Sequence, residues 1–292
     1  MILRFKLIFL GVLFFNMFLL SSCDTDEPIP NLDVDDYLNN SSGFDDSDDE
    51  NSGLCSILLS DCESYDSVND RIWYYNVILP PGYSEENEYP VLYLLHGRWL
   101  GHGFWVDKLE ICETIDPYYK NNLFDVIVVM PEGWDTYYLD DYHSGIKYES
   151  YFWNDFVPLI ENNYPIKKDY NSRYIGGISM GGYGAAYYTF KYGMFSFCYS
   201  ASSPFDGNGN PLSPPVYDFI DLETDEFPNF IIDIGMEDFL REVNIDANLI
   251  LASFGIPHEF IIRKGGHDAV FWKGSLQILF DRLSSFIAQN KD

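Results

Sequence analysis

The chain carries a serine in a setting that is typical of a nucleophile, because residues 177–181 read Gly-Ile-Ser-Met-Gly. In a G-x-S-x-G pattern, a sharp strand-to-helix turn holds the serine hydroxyl at the carboxyl edge of a sheet. The segment Arg-Tyr-Ile-Gly-Gly at 173–177 predicts a strand that enters a Gly-rich turn, and a helix is predicted from about Gly181. Glycine at both ends of the pattern is expected, because a side chain there would crowd the neighbouring strand and helix. The pentapeptide alone also fits a strand end that serves packing only, but its flanking elements favour Ser179 as a nucleophile.

His267 is the predicted base for this serine. A serine hydroxyl is a poor nucleophile at neutral pH, so a base must take its proton and a carboxylate must orient that base. His267 follows a predicted strand that ends near residue 263 and precedes the last predicted helix, which is where such a base is needed. The alternative for His267 is a loop residue whose ring is satisfied by backbone contacts. The remaining histidines fit the position less well: His96, which is expected to be structural, His102, His143 and His258.

Asp238 is the predicted carboxylate of the triad. The chain order Ser, Asp or Glu, His requires an acid between residues 179 and 267, just beyond a strand end. Asp238 meets this condition, whereas Asp233 lies inside the predicted strand over residues 230–234 and Glu237 is expected to point elsewhere. The alternative for Asp238 is an ordinary acid at a helix N-terminus.

Two backbone amides are predicted to stabilise the oxyanion of a tetrahedral intermediate. One is the amide of Met180, which follows the nucleophile, and the other is expected in the loop after residue 95, at Arg98. Substrate contacts are predicted for Trp99 in that loop and for Trp134 and Tyr138 in a second aromatic loop, where rings can stack on sugar or on an aromatic acyl group. Core packing or a mobile lid is the alternative role for the rings of the second loop.

The elements that must position these residues alternate between short apolar runs and longer segments of helical periodicity. Strands are predicted over residues 71–79, 91–95, 126–130, 173–177, 230–234 and 258–263. Helices are predicted over residues 148–164, from 181, over 240–254 and over 272–289. This order predicts an α/β fold, with a mostly parallel central sheet and helices on both faces. We expect one folded domain over residues 54–292.

The first 23 residues predict a lipoprotein signal. Arg4 and Lys6 precede an apolar run over residues 7–20, and Leu-Ser-Ser-Cys at 20–23 resembles the lipobox. Cleavage before Cys23 would leave that cysteine to carry the lipid. The alternative, an uncleaved transmembrane anchor, is disfavoured because the run is short for a bilayer span. Residues 24–53 are acidic and polar, without Lys or Arg, and predict a disordered tether.

Composition excludes one class of partner. The formal net charge is −29, with 46 acidic against 17 basic residues, so nucleic acid is not an expected ligand, and an anionic polymer is disfavoured as well. The 23 Tyr and 23 Phe supply a large core and rings for a cleft. No spacing resembles a zinc site, and neither a metal nor a cofactor is expected. Cys55 and Cys62 can close a small loop, whereas Cys198 is predicted to be a buried thiol in a strand.

Several ordered motifs between residues 70 and 286 resemble the esterase D family of α/β-hydrolases, which includes feruloyl and acetyl-xylan esterases. Beside the serine pattern they are LPPGY at 79–83, YPVLYLLHG at 89–97, MPEG at 130–133, GGYGA at 181–185, GMEDFL at 235–240 and GHD at 266–268. The resemblance implies the α/β-hydrolase fold and places the family's triad on Ser179, Asp238 and His267. After His96 and Gly97 the segment over residues 98–105 is bulkier than in relatives, which implies an altered acyl pocket.

The resemblance and the export signal together predict a serine carboxylesterase that is lipid-anchored in the bacterial cell envelope, on the periplasmic face or the cell surface. Its expected substrates are feruloyl or acetyl esters on glycans, cleaved through an acyl-enzyme. One alternative is an acyltransferase of the same family. Another is a non-catalytic glycan-binding lipoprotein that uses Trp99, Trp105 and Trp134, although the complete triad counts against it.

Overall fold

The computed structural model describes residues 56–141, 145–207, 212–224 and 227–290. Their centre is an eight-stranded sheet in the order β1-β2-β4-β3-β5-β6-β7-β8. The first strands pair antiparallel, β1 with β2 and β2 with β4, and all later pairs are parallel. The strands are β1 (Ile57–Asp66), β2 (Arg71–Leu79), β3 (Val91–Leu95), β4 (Ile127–Pro131), β5 (Arg173–Ile178), β6 (Phe197–Ala201), β7 (Asn229–Gly235) and β8 (His258–Arg263).

Helices cover both faces of this sheet, as predicted. They are α1 (Phe104–Asp107), α2 (Ile111–Lys120), α3 (Tyr148–Tyr151), α4 (Val157–Asn163), α5 (Met180–Tyr192), α6 (Arg241–Ser253) and α7 (Ala269–Gln289), with a π-helical segment Phe152–Phe156 between α3 and α4. One core contains buried side chains of α3, α4, α5 and α6, and a second contains those of α1, α2 and α7. The α/β-hydrolase fold class is therefore confirmed.

Burial explains why the central strands are apolar throughout. Every residue of β3, β4 and β6 is buried, because helices cover both sides of a parallel sheet.

The predicted strands over residues 71–79, 91–95 and 258–263 coincide with β2, β3 and β8. The elements that were not predicted from the sequence include the edge strand β1, whose polar residues and β-bulge between Leu59 and Cys62 obscure the alternation, the short helix α1 and the amphipathic helix α2.

The direction of the connections changes beside β3. The strand that follows β3 in the chain, β4, lies on one side of it, and the next strand, β5, lies on the other. Loops that leave the carboxyl ends of β3 and β5 therefore diverge and open a crevice between them. Such a switch point is where open α/β sheets bind ligands. The segments that carry Arg98 and Ser179 both start there.

Several predictions from the sequence fall on parts of the chain outside the described residues. These are the signal over residues 1–23 with Cys23, the tether over residues 24–53, Cys55 and His143. Among the described residues, Cys198 is a buried thiol in β6, as predicted, and Cys62 is also a buried thiol. Burial raises the pKa of Cys62 to about 11 and that of Cys198 to about 12. Within the described part of the chain, no helix is long and apolar enough to cross a membrane.

Candidate active site

Ser179 sits on a strained turn between β5 and α5. Its backbone has φ 52° and ψ −121°, a conformation that side chains other than glycine seldom adopt, and its amide donates to the Ala201 carbonyl at 2.8 Å. A Cβ atom added to Gly181 would lie 1.9 Å from the Leu95 carbonyl oxygen, and one added to Gly177 would lie 2.3 Å from Gly181. Both glycines are thus needed for the close approach of β3, β5 and α5, which presents the Ser179 hydroxyl at the sheet edge.

Ser179, His267 and Asp238 form one chain of hydrogen bonds. His267 Nε2 lies 2.9 Å from Ser179 Oγ, and His267 Nδ1 lies 2.9 Å from Asp238 Oδ2 and 3.1 Å from Oδ1. Because a carboxylate only accepts, Nδ1 carries the proton and donates to Asp238, which leaves Nε2 to accept from the serine hydroxyl. This is the arrangement in which an imidazole can remove the serine proton.

The surroundings of Asp238 keep it charged and fixed. Its side chain is fully buried, and its Oδ1 accepts from the Leu240 amide at 2.8 Å. Burial disfavours the charged carboxylate, but hydrogen bonds from His267 and from the Leu240 amide outweigh it, so the pKa of Asp238 lies below its usual value. The carboxylate is therefore ionised at neutral pH and aligned with the imidazole.

Neighbouring acids have other partners. Asp233 lies within β7 and pairs with Arg263 at 2.8 Å. Glu237 accepts from the Gly265 amide at 2.6 Å, and Asp268 caps the first turn of α7. Within the described residues, only Asp238 of these acids contacts the His267 ring, as the chain-order argument predicts.

The two predicted oxyanion donors lie next to Ser179. Met180 begins α5, so its amide has no acceptor within the helix, and the helix dipole adds positive potential at this point. Gly97 packs against the serine, since a Cβ atom there would lie 3.4 Å from Ser179 Cβ. Arg98 follows it, and its guanidinium pairs with Asp135 at 2.5 and 2.9 Å. The roles of the Met180 and Arg98 amides stay predictions.

Comparison with known proteins assigns the family. Residues 68–277 match the family model described as Putative esterase. The chain belongs to this family. It is accordingly a carboxylic ester hydrolase, in agreement with the resemblance read from the motifs.

Relatives of the esterase include proteins with named ester substrates. An acetyl esterase of Caldicellulosiruptor saccharolyticus is 27% identical over 225 residues, which span 66% of this chain and 82% of the relative. A solved ferulic acid esterase has a TM-score of 0.69 and 27% identity, over 80% of this chain and 99% of its own. The fluorophosphonate-binding serine hydrolase F of Staphylococcus aureus has a TM-score of 0.70 at 21% identity, over 79% of this chain and 99% of its own, which shows the shared fold.

A cavity of about 310 Å³ opens beside Ser179 in the esterase. Its walls are largely apolar and include Leu100, Tyr137, Phe239 and Trp272. Phe239 and Trp272 also flank the His267 ring, with ring centroids 4.4 and 4.9 Å away. Sequence reasoning missed both, although each lies within a few residues of a triad member. Both rings present apolar surface beside the imidazole, and the cavity leaves room for an apolar group on the serine.

The structure separates the three aromatic residues that were predicted to contact substrate. Trp99 lines the cavity and is 67% exposed, and Trp134 is 50% exposed. Tyr138 is fully buried, and its hydroxyl donates to the His96 carbonyl at 2.9 Å. Its ring occupies the space beside Gly133 and Gly184 that a Cβ atom would fill. The prediction that Tyr138 contacts substrate is therefore wrong, because the ring packs beneath the loop as part of the core.

Glu132 ties together the loops after β3 and β4. Its Oε1 accepts from the amides of Gly133 at 3.1 Å and Trp134 at 2.6 Å, and its Oε2 accepts from the His102 amide at 3.1 Å. The His102 ring donates to Oε2 at 3.2 Å, and the buried His96 ring lies 3.1 Å from Oε1. Burial alone would raise the pKa of Glu132, but the hydrogen bonds from the His102 ring and the Trp134 amide hold it well below its usual range.

This carboxylate was missed from the sequence, although the motif MPEG at 130–133 contains it. His102 also contacts Asp61 of the β1 bulge, with Nε2 2.8 Å from the carboxylate, so the network spans three separate segments. These contacts hold in place the loop that contains Gly97 and Arg98. Within the described residues, no cluster of three or more His, Cys, Asp or Glu side chains is arranged to hold a metal ion.

Proposed function

We propose that this esterase cleaves carboxylic esters through an acyl-enzyme on Ser179, and that its substrates are acetyl or feruloyl groups esterified to glycans. The observation that carries the mechanism is the unbroken chain from Ser179 Oγ through His267 to Asp238, with 2.9 Å at both main contacts. The chain sits on a backbone turn that fixes the serine at the mouth of a cavity.

In the first half of the reaction, Ser179 Oγ attacks the ester carbonyl carbon while its proton passes to His267 Nε2. The carbonyl oxygen becomes an oxyanion that accepts hydrogen bonds from the amides of Met180 and Arg98. The tetrahedral intermediate collapses, the bond to the alcohol oxygen breaks, and that oxygen takes the proton from Nε2. Asp238 stabilises the imidazolium that exists between these proton transfers.

In the second half, a water molecule gives a proton to His267 Nε2 and attacks the acyl carbon. The new tetrahedral intermediate expels Ser179 Oγ, which takes the proton back from Nε2, and the carboxylic acid leaves. Every proton that His267 accepts is returned, so the protein ends as it began.

The nature of the acyl group follows from the cavity and from the relatives. The cavity beside Ser179 is apolar and, at about 310 Å³, lies at the small end of ligand pockets. It suits one acyl group better than a sugar chain. Relatives are named for acetyl and ferulic esters, and both acyl groups are small and uncharged.

The site of action is proposed from the sequence. Cleavage before Cys23 and its lipidation would anchor the protein in the bacterial cell envelope, with the acidic residues 24–53 as a tether. Metabolic labelling with a clickable palmitate analogue should mark the chain, and Cys23→Ala should abolish the label. A labelled Cys23→Ala protein would contradict the proposal.

The mechanism is tested by treating the purified full-length protein with a fluorophosphonate probe and mapping the modified peptide by mass spectrometry. Labelling at Ser179, absent in Ser179→Ala, together with release of acetate from acetylated xylan or of ferulate from feruloylated arabinoxylan, is the expected result. Well-folded protein that neither takes the label nor cleaves any ester would refute the proposal. Transfer of the acyl group to an added sugar, in preference to water, would assign acyl transfer instead.

A further inference from the structure

A second cavity, of about 520 Å³, adjoins the cavity beside Ser179 and shares Trp99 and Leu100 with it. We call it the Trp99–Trp134 groove, since these two exposed rings line it. Its other side is formed by the start of β2, with Arg71 and the 42% exposed Tyr74. A ligand that leaves Ser179 across Trp99 would therefore enter the groove.

Arg71 has an unusual environment among the described arginines. Carboxylates pair with Arg98, Arg173, Arg241, Arg263 and Arg282. In the same part of the chain Arg71 has no such ion pair, and its buried Nε has no hydrogen-bond partner. Its guanidinium lies 3.9 Å from the centroid of the Trp73 ring, which fixes the group at the edge of the groove. In a protein with a net charge of −29, an arginine that is not paired with a carboxylate can donate hydrogen bonds to a ligand.

The two tryptophans of the groove are fixed as well. The Trp99 amide donates to the Trp134 carbonyl at 3.3 Å, and the Trp99 indole donates to Asp135 at 3.1 Å. The Arg98 guanidinium lies 4.2 Å from the centroid of the Trp99 ring. Both tryptophans have a positive φ, 63° at Trp99 and 41° at Trp134, a backbone conformation that costs free energy and persists only where the surroundings enforce it. The Trp99 ring is therefore held in place and the Trp134 backbone is fixed, so that Trp99 can stack on a ligand at little entropic cost.

The polar groups of the groove are balanced in charge. Arg71 supplies N–H donors, and the Glu132 carboxylate, whose side chain is 19% exposed, supplies negative charge, since its oxygens already accept from the amides of Gly133, Trp134 and His102. N–H donors and flat aromatic rings match the hydroxyl groups and the C–H faces of a pyranose. The balance of one cation and one anion, on a strongly acidic protein, favours a neutral sugar over an acidic one.

From these contacts we infer that the Trp99–Trp134 groove binds the alcohol side of the ester, as a neutral sugar chain, while the acyl group occupies the cavity beside Ser179. Arg71 donates hydrogen bonds to sugar hydroxyls, and Trp99 and Trp134 stack on the rings. The inference rests on the proposed function, since it assigns the two halves of the substrate to the two cavities.

Binding is measured first, without chemistry. Full-length Ser179→Ala protein is titrated with xylohexaose, cellohexaose and mannohexaose, and with a hexamer of galacturonic acid, by calorimetry and by tryptophan fluorescence. At least one neutral hexamer should bind, and Arg71→Met in this background should weaken it about tenfold, the loss expected for a hydrogen bond from a charged donor. The matched arginine control is Arg282→Met, remote from both cavities on α7, which should bind as tightly as the parent. Failure of all neutral hexamers, equal binding after Arg71→Met, or tighter binding of the acidic hexamer would each overturn the inference.

Turnover separates a failure of the groove from a failure of the proposed function. With an active serine, Arg71→Met and Trp134→Ala should each lower the ratio of kcat/KM for acetylated xylo-oligosaccharides to kcat/KM for 4-nitrophenyl acetate about tenfold, through KM. An unchanged ratio in a protein that cleaves 4-nitrophenyl acetate would refute the groove assignment alone. Absence of any ester cleavage and of fluorophosphonate labelling in the parent would refute the proposed function instead.

Discussion

Replacing the buried carboxylate of the triad tests the mechanism most directly. Asp238→Asn keeps the size of the side chain but removes its charge. The charge matters when His267 becomes an imidazolium, with Nδ1 2.9 Å from Asp238 Oδ2. Coulomb's law with an effective dielectric constant of about 20 gives an attraction of ~6 kcal/mol at 2.9 Å.

This attraction corresponds to a loss of about four orders of magnitude in kcat, since each 1.36 kcal/mol is roughly tenfold. An asparagine amide can also donate to Nδ1, which would place the imidazole proton on Nε2, where it cannot accept from Ser179. Both effects act on the transition state, so KM for 4-nitrophenyl acetate should change little. The rate of fluorophosphonate labelling should fall in parallel with kcat.

The control for this variant is Asp246→Asn, an exposed carboxylate on α6, which should retain full activity. Circular dichroism and thermal unfolding establish that Asp238→Asn is folded, because the Leu240 amide still finds an oxygen acceptor. A folded Asp238→Asn protein that keeps more than about a tenth of the parent kcat would refute the assignment. Glu237 would then be the next candidate for the orienting acid.

Three further outcomes follow from other contacts. Gly181→Ala places a Cβ atom 1.9 Å from the Leu95 carbonyl oxygen, and forced overpacking costs roughly 1–3 kcal/mol or more. Urea unfolding should therefore show a loss of stability of at least this size, whereas parent-like stability would show that the turn can widen. Glu132→Gln leaves the N–H partners of Glu132 with a weaker acceptor, and hydrogen bonds to a charged group contribute about 1.5–3 kcal/mol. Both the melting temperature and kcat/KM for 4-nitrophenyl acetate should therefore fall. A variant in which neither changes would show that Glu132 does not support the Arg98 loop. Hydrogen bonds to Glu132, and more weakly to Asp61, raise the pKa of His102 above 6.5 although burial opposes the shift. The stabilisation of the folded protein by protonated His102 is therefore complete below pH 6.5 and disappears as the pH rises through the raised pKa. The free energy of unfolding should fall more between pH 6 and pH 9 in the parent than in His102→Gln, and equal falls would contradict this.

The sequence alone determined the features that depend on local pattern. Runs rich in aromatic, aliphatic and β-branched residues predicted β2, β3 and β8 with the bounds that the structure has. The G-x-S-x-G pattern, the predicted strand ends and the order along the chain selected Ser179, Asp238 and His267 as the candidate triad. Glycine at 177 and 181 also follows from the pattern, since only a residue without a side chain fits where two strands and a helix meet.

The tertiary structure decided what each aromatic and charged side chain faces. Trp134 and Tyr138 lie four residues apart in one loop, yet one ring is exposed in a groove and the other is buried. The difference comes from Gly133 and Gly184, whose missing side chains open a space that Tyr138 fills. Glu132 and Arg71 are likewise unremarkable in the sequence. Their roles depend on partners far along the chain, which Glu132 has and which Arg71 lacks among the described residues. Burial and pairing of this kind depend on contacts that no local pattern encodes.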